Sequence, residues 1–422
     1  MHLRSTLRLA PALLLVLASC GRHQEEKVAD PRTGPWLFTL DLGNGNRLPF
    51  NAELVRDSTN WSMTVLNSTE RIHVDQVVVL GDSFRVQMPL FDSEFIGTFS
   101  SDTTLSGRWW NHLKGPDYSI PFTATAGQRE RFRVGEQQEP RDMSGSWETH
   151  YSVGTADAYA AIGLFEQQGR HVHGTFLTET GDYRYLEGTA NGDSLLLSCF
   201  DGSHAFLFKA GWRSDSLIGR FWSGNHWQEP WIAVRNPSFA LRHPDSLTHL
   251  REGYAMADFR FPLIEGGHVS PKDPAHAGKV IMVQVMGSWC PNCVDETMLL
   301  DEMYAKYNHE GLSVIALAFE KQNDSLKAIE SLRKFRDRLH VTYEIAYAGK
   351  AGKEEAAERL PFLDHVMSYP TCIFIDRAGM VRRIRTGFYG PGTGTHYLNY
   401  RRNLELFIEQ MLAEPMPTGK AA

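Results

Sequence analysis

The stretch that decides the fold of the C-terminal half is residues 280–293, with the sequence VIMVQVMGSWCPNC. Residues 280–286 are almost continuously apolar and rich in β-branched side chains, which predicts a strand buried on both faces. Beyond Cys290 the apolar residues, beginning with Val294 and Met298, follow the spacing of a helix. The stretch therefore predicts a buried strand, a tight turn and a helix that begins with a CxxC pair.

The position of the two cysteines at the start of a helix favours redox chemistry. Unpaired backbone N–H groups and the positive end of the helix dipole favour a thiolate at Cys290, and the thiolate is the attacking species. Pro291 suits the first helical position, because it has no N–H group to leave unpaired. Cys293 lies one turn further in, where it can resolve a mixed disulfide. We therefore predict a redox-active Cys290–Cys293 pair with Cys290 as the nucleophile.

Zinc binding is the alternative interpretation of a CxxC pair, and it needs two further ligands at usable spacing. The chain has no second CxxC motif. The nearby histidines form no HxxxH pair: His268, His276 and His309. We therefore predict no metal site, and the sequence indicates no cofactor.

The N-terminus has the pattern of an export signal over residues 1–19. A basic start is followed by the apolar stretch Leu9–Leu17, which is too short to span a membrane comfortably. The next residues, up to Cys20, resemble the bacterial lipobox, and this resemblance implies cleavage before Cys20 and lipid attachment to it. The alternative is a soluble secretory signal with a chance cysteine. Gly21 resembles the sorting pattern for the outer membrane.

The other cysteines and the charge exclude several classes of protein. Five cysteines in an exported chain of 422 residues do not make a disulfide scaffold. Cys199 and Cys372 lie in apolar stretches and are predicted to be buried thiols, although Cys372 follows Pro370 closely enough that a place near the site is the alternative. The formal net charge is −7 and the basic residues are dispersed, so we predict no nucleic-acid partner.

Residues 31–236 contain an internal repeat with an offset of about 111 residues. Short alternating strands and Gly-Asp or Asn-Gly turns dominate both copies, and each copy offers seven or eight strands. We therefore predict a tandem duplicated antiparallel meander, folded as barrels or sandwiches, with a faint resemblance to lipocalin-like barrels. Most of its tryptophans are expected in the core, with Trp110, Trp227 and Trp231 as surface candidates. The matching segments are Gly34-Pro35-Trp36 with Gly145-Ser146-Trp147, Gly81-Asp82-Ser83 with Gly192-Asp193-Ser194, and Leu105–Trp109 with Leu217–Phe221.

From Asp258 onward strands and helices alternate, which predicts an α/β domain with a mixed sheet. The segment 237–257 before it is predicted to be a linker, with a short helix around Asp245–Arg251. The predicted elements of the domain after the CxxC helix are strands at 312–319, 341–347, 371–376 and 380–386 and helices at 325–339, 352–359 and 397–412.

Residues 258–413 resemble the TlpA-like branch of the thioredoxin superfamily, the membrane-tethered disulfide reductases of the bacterial envelope. The residues that carry the resemblance are Gly278-Lys279, Trp289 with the CPNC motif, Glu296, Tyr369-Pro370-Thr371 and Ile375-Asp376-x-x-Gly379. The resemblance implies a thioredoxin fold in which Pro370 is a cis-proline facing the cysteines, with Trp289 and Tyr369 at the substrate-binding surface. A trans proline at the start of a strand is the alternative.

One position departs from the pattern of thioredoxins proper. They carry a buried aspartate six residues before the first cysteine, where this chain has Gln284, and a neutral amide cannot accept the proton of Cys293. The base is then Glu296 or water, because TlpA-like proteins carry an acid at the position of Glu296. The alternative is that Glu296 merely complements the helix dipole.

Three functions compete. The resemblance favours a thiol–disulfide oxidoreductase that reduces exported proteins carrying disulfides and receives electrons from an upstream membrane donor. A peroxidase of the peroxiredoxin branch wants Thr or Ser three residues before its cysteine, where this chain has Gly287. The third hypothesis is a ligand- or partner-binding β-domain lipoprotein with an auxiliary redox domain. In each case we expect a protein of the cell envelope, anchored to the membrane through lipid on Cys20 and located at the outer membrane facing the periplasm.

These inferences give a predicted domain plan. The parts are a signal peptide (1–19), a tether (20–33), β repeat 1 (34–134), β repeat 2 (142–236), a linker (237–257), a thioredoxin-like domain (258–413) and a tail (414–422).

Overall fold

The computed structural model describes residues 30–58 and 60–415, which form two β-barrels followed by an α/β domain. The predicted signal peptide and Cys20 lie outside the described residues. Within the described part of the chain, no helix is long and apolar enough to cross a membrane.

The first β unit is a closed, antiparallel, up-and-down barrel of eight strands, called barrel 1 here. Its first and last strands pair with each other, as Trp36 opposite Ala126 illustrates. Inward and outward side chains alternate along the strands, so that apolar residues fill the interior. The strands are Gly34–Asp41 (β1), Arg47–Asp57 (β2), Asn60–Asn67 (β3), Glu70–Leu80 (β4), Ser83–Gln87 (β5), Ser93–Ser101 (β6), Thr104–Asn111 (β7) and Ser119–Ala126 (β8).

The second β unit, barrel 2, repeats this order and adds one two-residue strand. Its sheet also closes, because the second and third strands pair with each other as well as with their other neighbours. The strands are Gly145–Tyr151 (β9), Tyr159–Gln168 (β10), His171–Thr178 (β11), Gly181–Asp182 (β12), Leu186–Asn191 (β13), Ser194–Phe200 (β14), Ala205–Arg213 (β15), Ser216–Ser223 (β16) and Trp227–Arg235 (β17). The predicted all-β fold of the N-terminal half is confirmed, as barrels rather than sandwiches.

The repeated glycine in the Leu105–Trp109 and Leu217–Phe221 segments has a steric cause. A Cβ atom on Gly107 would lie 2.1 Å from the carbonyl oxygen of Ile96, and one on Gly219 would lie 2.6 Å from that of Lys209. In both barrels the neighbouring strand approaches too closely for any side chain at this position.

The two barrels share part of their cores. Phe200 of barrel 2 stacks on Phe50 of barrel 1 with ring centroids 4.4 Å apart. Arg131, which follows barrel 1, is buried between them and donates to the carbonyl oxygen of Leu66 at 2.6 Å and to Glu187 at 2.9 Å. The barrels therefore pack as one body through apolar and hydrogen-bonded contacts.

Two expectations about the β half and the linker are wrong. Trp231 is only 2% exposed and belongs to the core of barrel 2, whereas Trp227 is 45% exposed. Instead of a helix around Asp245–Arg251 there is a single 3-10 turn, Pro244–Ser246. The chain after it extends along the α/β domain, with β-bridges from Leu250 to Leu363 and from Met256 to Met380.

The elements of the α/β domain are Phe261–Pro262 (β18), His268–Val269 (β19), Val280–Met286 (β20), Pro291–Tyr307 (α1), Leu312–Glu320 (β21), Ser325–Leu339 (α2), Glu344–Lys350 (β22), Lys353–Arg359 (α3), Thr371–Ile375 (β23), Val381–Thr386 (β24) and Thr395–Ala413 (α4). They include a five-stranded mixed sheet in the order β22-β21-β20-β23-β24, of which the first three strands are parallel. The predicted α/β architecture is confirmed, although the strand expected at 341–347 begins at Glu344. Helices α1, α2 and α4 pack on one face and α3 on the other.

Candidate active site at the CPNC motif

The two cysteines of the CPNC motif lie where β20 gives way to α1. Cys290 is the N-cap of α1, and its Sγ accepts a hydrogen bond from the backbone N–H of Cys293 at 3.2 Å. Cys290 is 7% exposed, whereas Cys293 is entirely buried, and both are free thiols. A sulfur at this position receives the unpaired N–H groups and the positive end of the helix dipole, which favour a thiolate.

The loop before β23 forms the second side of the site. The Tyr369–Pro370 peptide bond is cis, and the carbonyl oxygen of Tyr369 lies 3.6 Å from Sγ of Cys290. The ring of Tyr369 meets that of Trp289 edge-on with centroids 5.6 Å apart, and its hydroxyl donates to the carbonyl oxygen of Gly352. The structure thus brings Trp289, Tyr369 and Pro370 together beside Cys290.

Glu296 lies in α1, one turn beyond Cys293, and is buried beneath the motif. Nε2 of Gln284 donates to Oε2 of Glu296 at 3.0 Å and to the carbonyl oxygen of Cys293 at 3.3 Å. Burial raises the pKa of Glu296 to about 7, against the opposing effects of the Gln284 hydrogen bond and the positive charge of Arg385. The carboxyl group can therefore change its protonation state near neutral pH, directly below the deeper cysteine.

The thiol of Cys293 is harder to ionise. Burial raises its pKa well above the usual range, and the hydrogen bond with Cys290 and the charge of Glu296 raise it further. A proton acceptor is therefore needed before Cys293 can attack. Gln284 occupies the position where thioredoxins proper carry an acid, and it holds Glu296 in place.

Glu320, which the sequence interpretation missed, holds the turn before the motif. The backbone N–H and the hydroxyl of Ser288 donate to its two carboxylate oxygens at 2.8 and 2.7 Å. Burial raises the pKa of Glu320 to about 7, although both of these hydrogen bonds lower it. A charged residue directly after the apolar run 314–319 was the available signal, because buried acids need partners.

Comparisons with known proteins find similarity in the C-terminal third of the chain. Residues 253–384 match the AhpC/TSA family. The thioredoxin-like protein YneN of Bacillus subtilis (strain 168) is 26% identical over 138 residues, which cover 33% of this chain and 73% of that protein. The thiol-disulfide oxidoreductase ResA of Geobacillus kaustophilus (strain HTA426) is 25% identical over 140 residues, 33% of this chain and 72% of that protein. Among solved structures, a thiol:disulfide interchange protein of the thioredoxin family from Chlorobium tepidum TLS aligns with 39% of this chain and 99% of its own, at 15% identity and a TM-score of 0.30.

The C-terminal segment is a thioredoxin-like domain. It is of the thiol–disulfide oxidoreductase type, and the thioredoxin fold predicted from the CPNC motif and its surroundings is confirmed. The similarity covers about a third of the chain and leaves both barrels outside it.

The barrels nevertheless contact the CPNC motif of the thioredoxin-like domain. The hydroxyl of Ser203, in the loop between β14 and β15, donates to the carbonyl oxygen of Trp289 at 3.3 Å. The side chain of Asn292, inside the motif, donates to the carbonyl oxygen of Asp182 at 3.4 Å. The Pro291-Asn292 dipeptide is therefore part of the interface with barrel 2, which nothing in the sequence indicated.

Arg184 is the charged centre of that interface. Its guanidinium pairs with Asp295 of α1, with Glu70 of barrel 1 at 2.7 Å and with Asp201 of barrel 2 at 3.8 Å. Burial raises the pKa of Asp295 to about 7, and the neighbouring acids reinforce the rise while Arg184 opposes it. One arginine thus links all three folding units among several buried acids.

Lys321 adds positive charge beside the motif, and Lys114 lies near Lys321. Nζ of Lys321 lies 4.2 Å from the centroid of the Trp289 ring. Lys114, from the 3-10 turn of barrel 1, stands 5.2 Å from the centroid of Tyr118. Burial lowers the pKa of Lys114 to about 8, and the charge of Lys321 lowers it further. Lys321 is the one of the two whose charge interacts with Cys290.

Two further cysteines, Cys199 and Cys372, are both buried. Cys199 lies in β14 of barrel 2, whereas Cys372 lies in β23 opposite Gln284, in the same apolar cluster as Cys290 and Cys293. Burial raises the pKa of both thiols well above the usual range. In the described ranges, no group of three or more His, Cys, Asp or Glu side chains is arranged to hold a metal ion.

Proposed function

We propose that this protein is an envelope thiol–disulfide oxidoreductase that reduces disulfides of exported proteins through Cys290 and Cys293. The observation that carries the proposal is the position of Cys290. Its sulfur caps α1, accepts the N–H of Cys293 and lies 3.6 Å from the carbonyl oxygen that precedes Pro370. That carbonyl belongs to the backbone with which an extended substrate segment can pair.

The proposed reaction has two exchange steps. The Cys290 thiolate attacks one sulfur of a substrate disulfide, which forms a mixed disulfide and releases the other substrate sulfur as a thiolate. The Cys293 thiolate then attacks Sγ of Cys290 and releases the second substrate sulfur. The substrate gains two electrons and the CPNC pair becomes a disulfide, which a dithiol donor must reduce by the same exchange in reverse.

The proton of Cys293 leaves towards Glu296 in this proposal. The burial of both groups and the raised pKa of Glu296, about 7, support a carboxyl group that accepts a proton near neutral pH. Gln284 orients that carboxylate and does not itself exchange a proton. Trp289 and Tyr369 form the surface on which the substrate lies.

The envelope location rests on the sequence pattern before and at Cys20. We propose that lipid on Cys20 anchors the chain to the outer membrane facing the periplasm, and that a membrane protein upstream supplies the electrons. Reduction is the favoured direction because the TlpA-like proteins that the domain resembles are reductases. A peroxidase function is disfavoured, since position 287 carries no hydroxyl group.

Trapping of mixed disulfides tests the proposal. Cys293→Ala should accumulate mixed disulfides on Cys290 with exported proteins, seen on non-reducing gels and identified by mass spectrometry, whereas Cys290→Ala should accumulate none. Cys199→Ala, a change to a buried thiol of barrel 2, is the matched control and should behave as wild type. Trapping by Cys290→Ala but not by Cys293→Ala would reverse the assignment of the nucleophile, and trapping by neither would refute the function.

A further inference from the structure

A cavity of about 430 Å³ lies at the end of barrel 2 next to the thioredoxin-like domain. Barrel 2 contributes Tyr159, Tyr183 and Trp227 to its wall, and the thioredoxin-like domain contributes Met367. Met367 stands two residues before Tyr369, whose carbonyl oxygen lies 3.6 Å from Sγ of Cys290. The cavity is therefore adjacent to the backbone along which the substrate is proposed to lie.

Glu229 gives the cavity a buried negative group. It is 4% exposed and accepts hydrogen bonds from the hydroxyls of Ser152 at 2.7 Å and Tyr159 at 2.8 Å. Both donors are neutral, and no lysine or arginine of the described residues pairs with it. Glu179, the neighbouring acid of the cavity wall, is by contrast held by Arg242 at 2.5 and 2.6 Å. A buried carboxylate without a cation is costly, and a cation from a ligand would relieve that cost.

The aromatic walls suit the same ligand. Tyrosine and tryptophan faces attract a lysine ammonium or an arginine guanidinium, and the attraction grows when water is excluded. Trp227 is 45% exposed, so it forms the rim, whereas the hydroxyls of Tyr159 and Tyr183 lie 2.6 Å apart deeper in the wall. The cavity would accommodate both the apolar stem and the charged head of a long basic side chain.

We propose that this cavity is a subsite for a basic side chain of the substrate polypeptide, two to four residues from its reacting cysteine. The proposal rests on the proposed oxidoreductase function. A substrate segment that pairs with the backbone of Tyr369 advances about 3.3 Å per residue, so a side chain a few positions from the cysteine passes Met367 and meets the cavity. Barrel 2 thereby selects substrates by a lysine or arginine next to their disulfide.

Matched peptides test the subsite. Each is a homodimer linked through its single cysteine, with lysine or norleucine three residues before or after that cysteine, and kcat/KM is measured with the reduced full-length protein. The kcat/KM of the lysine peptide should exceed that of its norleucine partner about tenfold for at least one of the two positions, before or after the cysteine. Glu229→Gln should reduce the preference to less than about twofold, because a neutral amide does not attract the ammonium group. Glu166→Gln, which changes an exposed acid elsewhere on barrel 2, should retain it.

The other outcomes are decisive as well. Equal rates for lysine and norleucine peptides with the wild-type protein, or an unchanged preference in Glu229→Gln, would overturn the subsite. If Glu229→Gln is unfolded by circular dichroism, the exposed Trp227→Ala decides instead, with a several-fold fall in the preference as the expected result and no fall as the overturning one. If the protein reduces no peptide, the oxidoreductase function fails. In that case the binding of peptides with serine in place of cysteine is measured by fluorescence anisotropy. Tighter binding of the lysine peptide than of the norleucine peptide supports the subsite, and equal binding overturns it.

Discussion

The change Glu296→Gln tests whether the carboxyl group beneath the cysteines is buried and titrates near neutrality. Glutamine has nearly the shape of a protonated glutamate, and its side-chain carbonyl oxygen can still accept the hydrogen bond from Nε2 of Gln284. Burial raises the pKa of Glu296 from 4.5 to about 7. A shift of this size corresponds to about 3 kcal/mol of folding free energy, at 1.36 kcal/mol per unit.

The sign follows from proton linkage. Below pH 4.5 the group is protonated in both the folded and the unfolded chain, so the two proteins should be equally stable. As the pH rises towards 7 the unfolded wild-type chain releases this proton while the folded chain retains it, and the wild type loses stability. Above pH 7 the loss is complete, and Glu296→Gln should be more stable by about 3 kcal/mol. Asp295 and Glu320, whose pKa values are also raised to about 7, are present in both proteins and cancel in the comparison.

Unfolding of this domain can be followed separately from the barrels. Cys372 is fully buried in β23, so its alkylation in urea, measured by mass spectrometry on the reduced protein, reports the opening of the thioredoxin-like domain. The same variant should lose the inflection near pH 7 in its rate of disulfide reduction, since Cys293 loses its proton acceptor. Glu330→Gln, an exposed change on α2, should show neither effect. Equal stability of Glu296→Gln and wild type at pH 8 would refute the buried-carboxyl argument, and an equal gain at pH 4 and pH 8 would show that packing and not ionisation is responsible.

Three further predictions concern charge and anchoring. Arg184→Met should lower the free energy of unfolding in urea by about 3 to 5 kcal/mol at pH 8, because it leaves several buried acids without their cation. The loss should be smaller at pH 5, where Asp295 is protonated. Arg242→Met, a change to an exposed arginine, is the control and should have no measurable effect. Lys321→Met should slow the alkylation of Cys290 by iodoacetamide at pH 7 several-fold, because it removes a neighbouring positive charge. Lys327→Met, on the exposed side of α2, is the control, and an unchanged rate in Lys321→Met would contradict the role of this charge. Cys20→Ala should release the protein from the membrane fraction, and a wild-type protein already found entirely in the soluble fraction would contradict lipidation.

The fold was predictable where the residue pattern was compatible with only one structure. An apolar run followed by CPNC and a helical pattern predicted β20 and α1, and the expected helix at 325–339 is α2 without change. Several matching segments in one order predicted a duplicated β unit, and the steric environment of Gly107 and Gly219 explains why the glycine in one of these segments recurs. Closure into barrels was not predictable, because it depends on the pairing of the first and last strands, for which alternating side chains carry no information.

The candidate site was predictable for residues near the motif in sequence and for Tyr369 and Pro370, which the family resemblance supplied. Cys290, Cys293 and Glu296 share one helix, so their spacing alone brings them together. Glu320 reaches the turn before the motif from a distant strand and Ser203 reaches Trp289 from barrel 2, and no local pattern connects them with the motif. Trp227 and Trp231 were both surface candidates, and because they are four residues apart they face the same side of β17. Trp231 lies in the middle of the strand and is buried in barrel 2, whereas Trp227 is the first residue of the strand and remains exposed at the rim.

The contacts between the barrels and the motif bear on how the protein can be divided. A thioredoxin-like domain of this size is large enough to bury its own core, so its folding need not depend on the barrels. Yet Ser203 and Asp182 hold the backbone and side chains of the motif, and Phe91 of barrel 1 belongs to the same apolar cluster as Cys290. Removal of the barrels would expose that cluster and leave Asp295 in water, where its carboxyl group would regain an ordinary acidity and a full charge beside the cysteines. The barrels therefore set the electrostatic surroundings of the CPNC pair, and the proposed redox function is expected to depend on all three units.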